Sequence, residues 1–216
     1  MAHPLWPLFD LRIRSARLEL RLPTDDELVA LAALARAGIH DAAEMPFAFP
    51  WSTKESPRFE REFAQYHWGA RASWRPADWS LDLMAVRGGR PIGMQGIFAR
   101  EFATFRTVKT GSWLGRDFQG RGLGKEMRAA VLALAFDGLG AEVAKTEAFV
   151  VNTASAGVSR SLGYEPNGVG RLAPLGEPRD TLRFRMTREM WRSRERPPVA
   201  IEGLEGCREL FGGGPG

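Results

Sequence analysis

The spacing of apolar and polar residues predicts a sheet flanked by helices. Residues 12–22 alternate apolar with charged side chains, which is the pattern of a strand with one face in water. Comparable runs predict further strands at 78–86, 90–102, 107–115, 142–151 and 180–191. The pair Gly88-Gly89 separates two of these runs and is typical of a hairpin turn.

Helical spacing appears between the strand patterns. Thr24 and Glu27 have the spacing of a capping box, and Gly38 suits the end of the helix that they begin. A second helix is predicted over 57–72 and a shorter one over 152–163. Between them lies an amphipathic helix whose apolar residues fall at i, i+3, i+4, i+7 and i+8: Met127, Ala130, Val131, Leu134 and Ala135.

This order of elements predicts an α/β (α+β) fold with a mixed, mainly antiparallel sheet. The 216 residues suffice for one sizeable core, so a single domain is expected over residues 1–191. Residues 192–216 lose clear periodicity and finish in Gly-Gly-Gly-Pro-Gly, which predicts a partly flexible C-terminal tail.

Composition narrows the possible partners. The net charge is only +4 and no block of basic residues occurs, so no nucleic acid is expected. Cys207 is the single cysteine, which excludes an intrachain disulfide and a cysteine-based metal cluster, and no metal is expected. The beginning of the chain lacks a signal-peptide pattern and no run of about 18 apolar residues occurs. We therefore expect a cytoplasmic protein without a membrane partner.

The stretch most suggestive of chemistry is a glycine-rich loop between a strand and a helix. Gly120, Gly122 and Gly124 lie where a strand pattern ends and the amphipathic helix begins. The first amides of a helix have no intrahelical partners, and the helix dipole favours negative charge there. Arg121 and Lys125, with Arg116 nearby, add positive charge. The loop is therefore a candidate phosphate site.

Three phosphate-binding patterns and a ligand-free glycine turn compete for this loop. The dinucleotide pattern G-x-G-x-x-G does not match the spacing G-x-G-x-G seen here. The Walker A pattern fails twice, because Gln119 stands in place of its first glycine and Glu126 in place of its Ser or Thr. The pattern Q/R-x-x-G-x-G/A is met by Gln119, Gly122 and Gly124.

This last pattern resembles the pyrophosphate loop of the GNAT acyltransferases. The preceding Gly-Ser-Trp-Leu is similar to a strand of that family, and a second family signature is matched by Asn152, Ser155, Gly163, Tyr164 and Gly168. The resemblance covers residues 12–191 and is nearest to the ribosomal-protein N-acetyltransferase (RimJ/RimL-like) branch. The Pro-Phe-Ala-Phe-Pro-Trp and Thr-Gly-Ser-Trp segments are also similar to a mycobacterial GNAT group that can use succinyl-CoA.

The resemblance implies a GNAT fold whose sheet is splayed at its centre to admit acyl-coenzyme A. Acetyl-CoA or succinyl-CoA would be the acyl donor, with its pantetheine arm against the backbone of Trp113 and Leu114. The Asn152 side chain and Ser155 would also contact the donor, although Asn152 also suits a helix N-cap. The pyrophosphate would be held by the amides of Gln119, Gly120, Arg121, Gly122, Leu123, Gly124 and Lys125.

The implied reaction is direct attack of a primary amine on the thioester. Ser155 matches a proposed thiolate-protonating serine, with a hydroxyl bonded to its own helix as the alternative. Tyr164 is a second candidate acid, with a packed core ring as its alternative. Lys109 stands where many relatives have Glu, so Glu101, Asp82 and Glu147 are left as candidate bases, with Glu101 preferred. A solvated charge on a strand face is the alternative for each of them, and a water relay is the alternative to a base.

The acceptor side is expected in residues 45–79, which are rich in aromatic side chains. These rings would clasp an apolar or aromatic acceptor or pack between subunits, and the surplus of aromatic residues predicts a homo-oligomer. Arg71 and Arg75 could pair with a carboxylate on the acceptor or on a succinyl group. His40 and His67 could bind the acceptor or accept a proton. The acceptor amine itself, on a small molecule or a protein, stays open, as does a non-catalytic acyl-CoA-binding module.

Overall fold

The computed structural model describes residues 3–41 and 44–212, and its centre is one nine-stranded sheet. The strand order is β7-β8-β6-β5-β4-β3-β2-β1-β9. Every neighbouring pair is antiparallel except β5 and β6, which are parallel. The strands are β1 (Arg12–Arg14), β2 (Glu19–Arg21), β3 (Asp78–Arg87), β4 (Arg90–Arg100), β5 (Thr107–Leu114), β6 (Val143–Phe149), β7 (Glu165–Leu172), β8 (Arg179–Thr187) and β9 (Ala200–Glu202).

Helices cover both faces of this sheet. They are α1 (Asp25–Ala37), α2 (Arg58–Ala72), α3 (Phe102–Phe105), α4 (Leu123–Ala133), α5 (Thr153–Leu162) and α6 (Arg188–Arg192). The predicted capping box is present, because Thr24 accepts a hydrogen bond from the Glu27 amide while the Glu27 carboxylate accepts one from the Thr24 amide. The predicted mixed sheet flanked by helices is confirmed. No helix in residues 3–41 and 44–212 is long and apolar enough to cross a membrane.

Two hydrophobic cores lie on opposite faces of the sheet. The larger core packs α4 against the inner residues of the strands, including Leu81, Leu83 and Ile97. The smaller core packs α1 and α2 against Met84 and Met94. Because successive side chains in a strand point to opposite faces, Asp82, between Leu81 and Leu83, lies on the α2 face.

The centre of the sheet is split. The parallel strands β5 and β6 pair only over Thr107–Lys109 of β5, and the five remaining residues of β5 have no backbone partner in β6. The Thr110 carbonyl accepts a hydrogen bond from the Thr146 hydroxyl at 3.2 Å instead. The predicted central splay is therefore present, and it opens toward the carboxyl ends of both strands.

Three strand predictions need correction. The strand predicted over 180–191 ends at Thr187, which is the N-cap of helix α6. Residues 12–22 form a hairpin of two short strands, β1 and β2, because the chain turns at Ser15, whose amide donates to the Leu18 carbonyl. Strand β7 had no prediction, since its proline, asparagine and two glycines hide the strand pattern. A bulge between Pro166 and Val169 accommodates them.

The end of the chain is part of the fold. Strand β9 pairs with β1, and a 3₁₀ helix over Glu205–Phe211 follows. The Phe211 ring is fully buried with its centroid 5.5 Å from Trp74 and 5.0 Å from Trp79. The prediction of a separate, partly flexible tail over residues 192–216 is therefore wrong for residues 200–211. The final residues, 213–216, lie outside the described residues.

Replacing Phe211 with alanine tests whether this terminal segment stabilises the domain. Removing a fully buried ring should lower the free energy of unfolding by about 3–5 kcal/mol. Phe105→Ala is the matched control, because that ring is 59% exposed and its loss should change the free energy of unfolding by less than about 1 kcal/mol. Urea denaturation of the two variants measures the difference, and equal effects would contradict the packing described above.

Candidate functional site

The glycine-rich loop joins β5 to α4 through a backbone that only glycine adopts readily. A short 3₁₀ turn over Arg116–Phe118 follows the strand, and then Gly120 and Gly122 take positive φ values of 69° and 73°. No neighbouring atom lies within 4 Å of the position that a Cβ would take at Gly120. The need for glycine therefore comes from the backbone turn, and the space beside it stays open.

The amino end of α4 has unpaired amides directed at this open space. Gly122 is the N-cap and supplies no side-chain cap, and the first intrahelical bond runs from the Glu126 amide to the Gly122 carbonyl at 3.2 Å. The amides of residues 123–125 consequently have no intrahelical acceptor. Arg121 and Lys125 are exposed beside them. The loop thus combines free donors, a helix dipole and positive charge, which suits a phosphate group.

The backbone amide of Gln119, predicted to hold the pyrophosphate, donates to the Arg116 carbonyl at 3.1 Å. The side-chain nitrogen of Gln119, Nε2, donates to the carbonyl oxygens of Ile39 at 2.8 Å and Leu114 at 2.9 Å. The Arg116 amide also donates to the Gly38 carbonyl at 3.0 Å, and its guanidinium to the His40 carbonyl. These bonds fix the glycine loop to the end of α1. Gln119 and Arg116 therefore hold the backbone of the loop in position.

Arg17 also contacts the loop, and no sequence motif predicted it. Its Nε donates to Glu126 Oε2 at 2.6 Å and its Nη1 to the Arg121 carbonyl at 3.2 Å. Ser15 Oγ donates to the other oxygen of Glu126 at 2.7 Å. The turn between β1 and β2 therefore braces the first turn of α4 and adds a half-exposed cation near Gly122.

The second predicted motif lies at the same edge of the sheet. Asn152 is the N-cap of α5, and its Oδ1 accepts a hydrogen bond from the Ser155 amide at 3.0 Å. The Ser155 hydroxyl makes no hydrogen bond to the described residues, so it is free to meet a ligand. Val158 of α5 lies 3.8 Å from the position that a Cβ would take at Gly124. Both motifs therefore border the split between β5 and β6.

A buried arginine joins the two strands where they separate. Arg128 of α4 is 2% exposed, and its guanidinium donates to Thr146 Oγ1 of β6 at 3.1 Å and to Ser112 Oγ of β5 at 3.4 Å. No carboxylate lies within ion-pair distance of it in the part of the chain that the structure describes. Arg128 thus bridges the split with its charge uncompensated.

Tyr164 lies beside this arginine, inside the larger core. Its ring is 4% exposed, and burial raises the pKa of its hydroxyl, although Arg128 and Thr110 act in the opposite direction. A hydroxyl with a raised pKa holds its proton more firmly, which makes it a weaker acid. The placement supports the packed-ring interpretation of Tyr164 over its role as the acid.

The three carboxylates considered as bases lie in very different places. Glu101 follows β4 at the edge of the sheet opposite the glycine loop, roughly 20 Å away along the strands, and its backbone is left-handed. Glu147 is bonded to Thr181 and Arg183. Asp82 alone lines a large cavity beside the split. The expectation that Glu101 acts at the site does not fit this geometry.

The cavity has a volume of about 690 Å³ and lies between α2, the loop before it and the sheet. Ser112 and Trp113 also line it, so the cavity reaches the split where the thioester is expected. Eight of its 18 lining residues carry aromatic side chains: Phe47, Phe49, Trp51, Phe59, Phe63, Tyr66, Phe98 and Trp113. Trp51 packs 5.8 Å from Trp113 and 5.1 Å from Phe47, measured between ring centroids.

Asp82 belongs to a cross-strand row that is otherwise free of side chains. Strand register aligns Asp82 with Gly96 and Gly96 with Gly111. A Cβ at Gly96 would stand 2.8 Å from Asp82 Oδ1 and would overlap the Phe98 ring. The Tyr66 hydroxyl donates to Asp82 Oδ2 at 3.2 Å, and burial raises the pKa of Asp82 to about 6.

The remaining polar candidates are bonded elsewhere. Arg71 donates to Asp25 and to the Pro23 carbonyl, and Arg75 donates to the Trp74 carbonyl. His40 Nε2 lies 2.7 Å from Ser52 Oγ. His67 lines the cavity, and burial lowers its pKa to about 4, so it is neutral near pH 7. No group of three potential metal ligands occurs within residues 3–41 and 44–212.

The protein has the fold of known acetyltransferases. A GCN5-related N-acetyltransferase from Brucella melitensis is 19% identical, with a TM-score of 0.67 over 92% of this chain and 83% of its own. The ribosomal L7/L12 α-N-protein acetyltransferase RimL, in complex with coenzyme A, is 16% identical with a TM-score of 0.64 over 82% and 97%. The microcin C7 self-immunity acetyltransferase MccE, in complex with acetyl-CoA and AMP, is 16% identical with a TM-score of 0.62 over 80% and 93%.

Sequence comparison gives the family directly. Residues 17–165 match the family model described as the acetyltransferase (GNAT) domain. The matched segment runs from β2 to the start of β7, so it includes the glycine loop, the split and the cavity. The chain therefore belongs to the GNAT acetyltransferase family.

Proposed function

We propose that the protein is an acyl-CoA-dependent N-acyltransferase that moves an acetyl group from acetyl-CoA to a primary amine in a ternary complex. The observation that carries this proposal is the meeting of three features at one edge of the sheet. The uncapped amino end of α4, the unpaired edge of β5 and the aromatic cavity adjoin one another. A donor with a phosphate end and an amide-containing arm fits the first two features, and an amine fits the third.

Two groups of described residues suit the two ends of coenzyme A. The amides at residues 123–125 and the exposed charges of Arg121 and Lys125 suit the pyrophosphate. From Gly111 to Leu114, the edge of β5 that faces β6 lacks a strand partner. The pantetheine amides can therefore pair with this edge as an added strand would. The thioester then lies in the split beside Ser112, where the cavity opens.

The reaction requires two proton transfers. The neutral amine attacks the thioester carbonyl carbon, the tetrahedral intermediate collapses, and the carbon–sulfur bond breaks. The departing thiolate takes a proton, for which the unbonded Ser155 hydroxyl at the start of α5 is the best-placed donor. Holding the two reactants together in the cavity and the split supplies much of the rate increase.

Acetyl is a better donor group than succinyl for this cavity. The two arginines expected to meet a succinyl carboxylate, Arg71 and Arg75, are bonded to other groups. Lys54 is the one lysine or arginine among the described residues that line the cavity, and it pairs with Glu62. The likeness to RimL and the two sequence motifs support a RimJ/RimL-like branch, while the cytoplasmic location and the homo-oligomer stay predictions.

Substituting Gly122 with valine tests the phosphate loop. The left-handed backbone at this position is strained for valine, so the loop should lose its shape and acetyl-CoA should no longer bind. For the unaltered protein, acetyl-CoA at 100 times its dissociation constant should stabilise by about 2.7 kcal/mol, seen as a rise in melting temperature, whereas ATP should not.

Gly176→Val is the matched control for this experiment. Gly176 has a similar φ of 83° and open space around its Cβ position, but it lies in the turn between β7 and β8. This variant should suffer the same backbone strain and keep the acetyl-CoA effect. Retained binding in Gly122→Val, or equal loss in both variants, would contradict the loop assignment. Acetyl transfer to any amine would exclude the non-catalytic binding module.

Replacing Arg128 with methionine tests the bridge across the split. Methionine fills similar space without the buried charge, so the melting temperature should stay the same or rise. The bonds to Thr146 and Ser112 are lost, and the affinity for free coenzyme A should fall about tenfold, which corresponds to about 1.4 kcal/mol. Isothermal titration calorimetry gives both affinities. An unchanged dissociation constant would mean that the split forms without Arg128.

A further inference from the structure

We propose that Asp82 binds the acceptor and removes its proton, and that the acceptor is a small primary amine on an aromatic or apolar body. This inference rests on the proposed function and adds the substrate class and the catalytic base to it. Three features of the cavity support it: its walls, its charge and its geometry.

The walls favour an aromatic or apolar body. Rings from the loop before α2, from α2 and from β4 and β5 surround one space, and Met94 adds an apolar side chain. The volume of about 690 Å³ is that of a typical pocket for a small molecule. Apolar walls of this kind bind a small organic molecule by removing its apolar surface from water.

The charges favour a cation. Two carboxylates line the cavity, and Glu62 is neutralised by Lys54 and by Arg58. The contact of Asp82 with another side chain is the hydrogen bond from the neutral Tyr66 hydroxyl. An ionised carboxylate in such surroundings attracts one positive group, and the faces of the surrounding rings add a cation–π attraction. An alkylammonium ion meets both requirements.

The position of Asp82 connects this cation to the thioester. Its carboxylate stands over Gly96, and the next strand, β5, lies about 4.8 Å further on. Gly111 continues the row on β5 without a side chain, and the Phe98 ring covers both glycines, overlapping a Cβ position at Gly96 and lying 3.7 Å from one at Gly111. An amine that is hydrogen-bonded to Asp82 therefore lies between the carboxylate and the edge of the split.

The proposed step uses Asp82, Ser155 and water to move two protons. One proton passes from the ammonium nitrogen to the Asp82 carboxylate, directly or through a water molecule, and leaves a neutral amine. The nitrogen lone pair then forms a bond to the thioester carbon, the carbon–sulfur bond breaks, and the thiolate departs with the bonding electrons. The second nitrogen proton reaches the sulfur through Ser155 or water, which gives an amide and free coenzyme A.

The ionisable neighbours leave Asp82 in control of the pH dependence. From α2, Tyr66 donates to it, His67 is neutral above about pH 4, and Arg71 is bonded to Asp25. Lys54 and Glu62 neutralise each other on another wall. Burial raises the pKa of Asp82 to about 6. Because neutral pH lies above this pKa, the carboxylate is mostly ionised there. Activity should therefore fall as the pH drops through about 6, because the protonated acid cannot accept a proton.

Asp82→Asn in the full-length protein tests the inference, with Asp180→Asn, at an exposed position of strand β8, as the matched control. The probe is 2-phenylethylamine, with 2-phenylethanol as its uncharged analogue. Quenching of tryptophan fluorescence reports binding, since Trp51 and Trp113 line the cavity. The dissociation constant of the amine should rise at least tenfold in Asp82→Asn and stay constant in Asp180→Asn. That of the alcohol should stay constant in both variants.

Kinetics give a second, independent readout. In Asp82→Asn, kcat for acetylation of the amine should fall about 100-fold, the acid limb near pH 6 should disappear, and the KM for acetyl-CoA should not change. Tyr66→Phe covers the case in which Asp82→Asn folds poorly. Because the Tyr66 hydrogen bond lowers the pKa of Asp82, its removal should move the acid limb to higher pH.

The outcomes separate this inference from the proposed function. Normal amine binding and an unchanged pH profile in Asp82→Asn would overturn the role of Asp82. Stronger binding and faster acetylation of a tripeptide N-terminus than of 2-phenylethylamine would overturn the acceptor class. Both results leave acetyl transfer itself in place. The proposed function fails instead when acetyl-CoA gives no thermal stabilisation of the unaltered protein and no amine is acetylated.

Discussion

The separation of β5 from β6 is the constraint on which the site depends. Two parallel strands normally pair along their length, but here they pair over three residues and then diverge. The divergence leaves backbone groups unpaired, and unpaired buried groups destabilise a fold. One side chain offsets part of that cost, because the Thr146 hydroxyl donates to the Thr110 carbonyl. Arg128 links the two strands through the hydroxyls of Thr146 and Ser112 and satisfies no backbone group in doing so. The split is therefore a built feature that a ligand with its own amides can complete.

Each face of the sheet contributes differently to the split. On one face, α4 brings the free amides of its amino end, Arg128 beneath the gap and a large core that keeps the helix in place. On the other face, α1 and α2 leave an aromatic cavity that meets the gap at Ser112 and Trp113. In the proposed reaction, the donor and the acceptor would thus approach the thioester from different sides of β5. This separation suits a reaction without a covalent enzyme intermediate.

The parts of the site that the sequence predicts are those encoded within a few consecutive residues. The capping box of α1, the glycine loop and the N-cap at Asn152 each depend on local backbone geometry, so local patterns reveal them. The sequence does not show where Glu101 lies. Because β4 runs antiparallel to β5, the carboxyl end of β4, which Glu101 follows, lies away from the glycine loop. Strand β9 was missed because three residues are too few to show a period.

Asp82 illustrates why the rest could not be predicted. Its importance depends on Gly96, 14 residues after Asp82, and on Gly111, 15 residues after Gly96. Only the strand register aligns the three residues. In the sequence, Asp82 alternates with leucines and resembles any solvated residue of a half-exposed strand. Its surroundings come from Phe98 of the neighbouring strand β4 and from Tyr66, whose distance depends on how α2 packs on the sheet. Ionisable groups gain unusual acidity from such long-range packing, so a catalytic base is harder to predict than a phosphate loop.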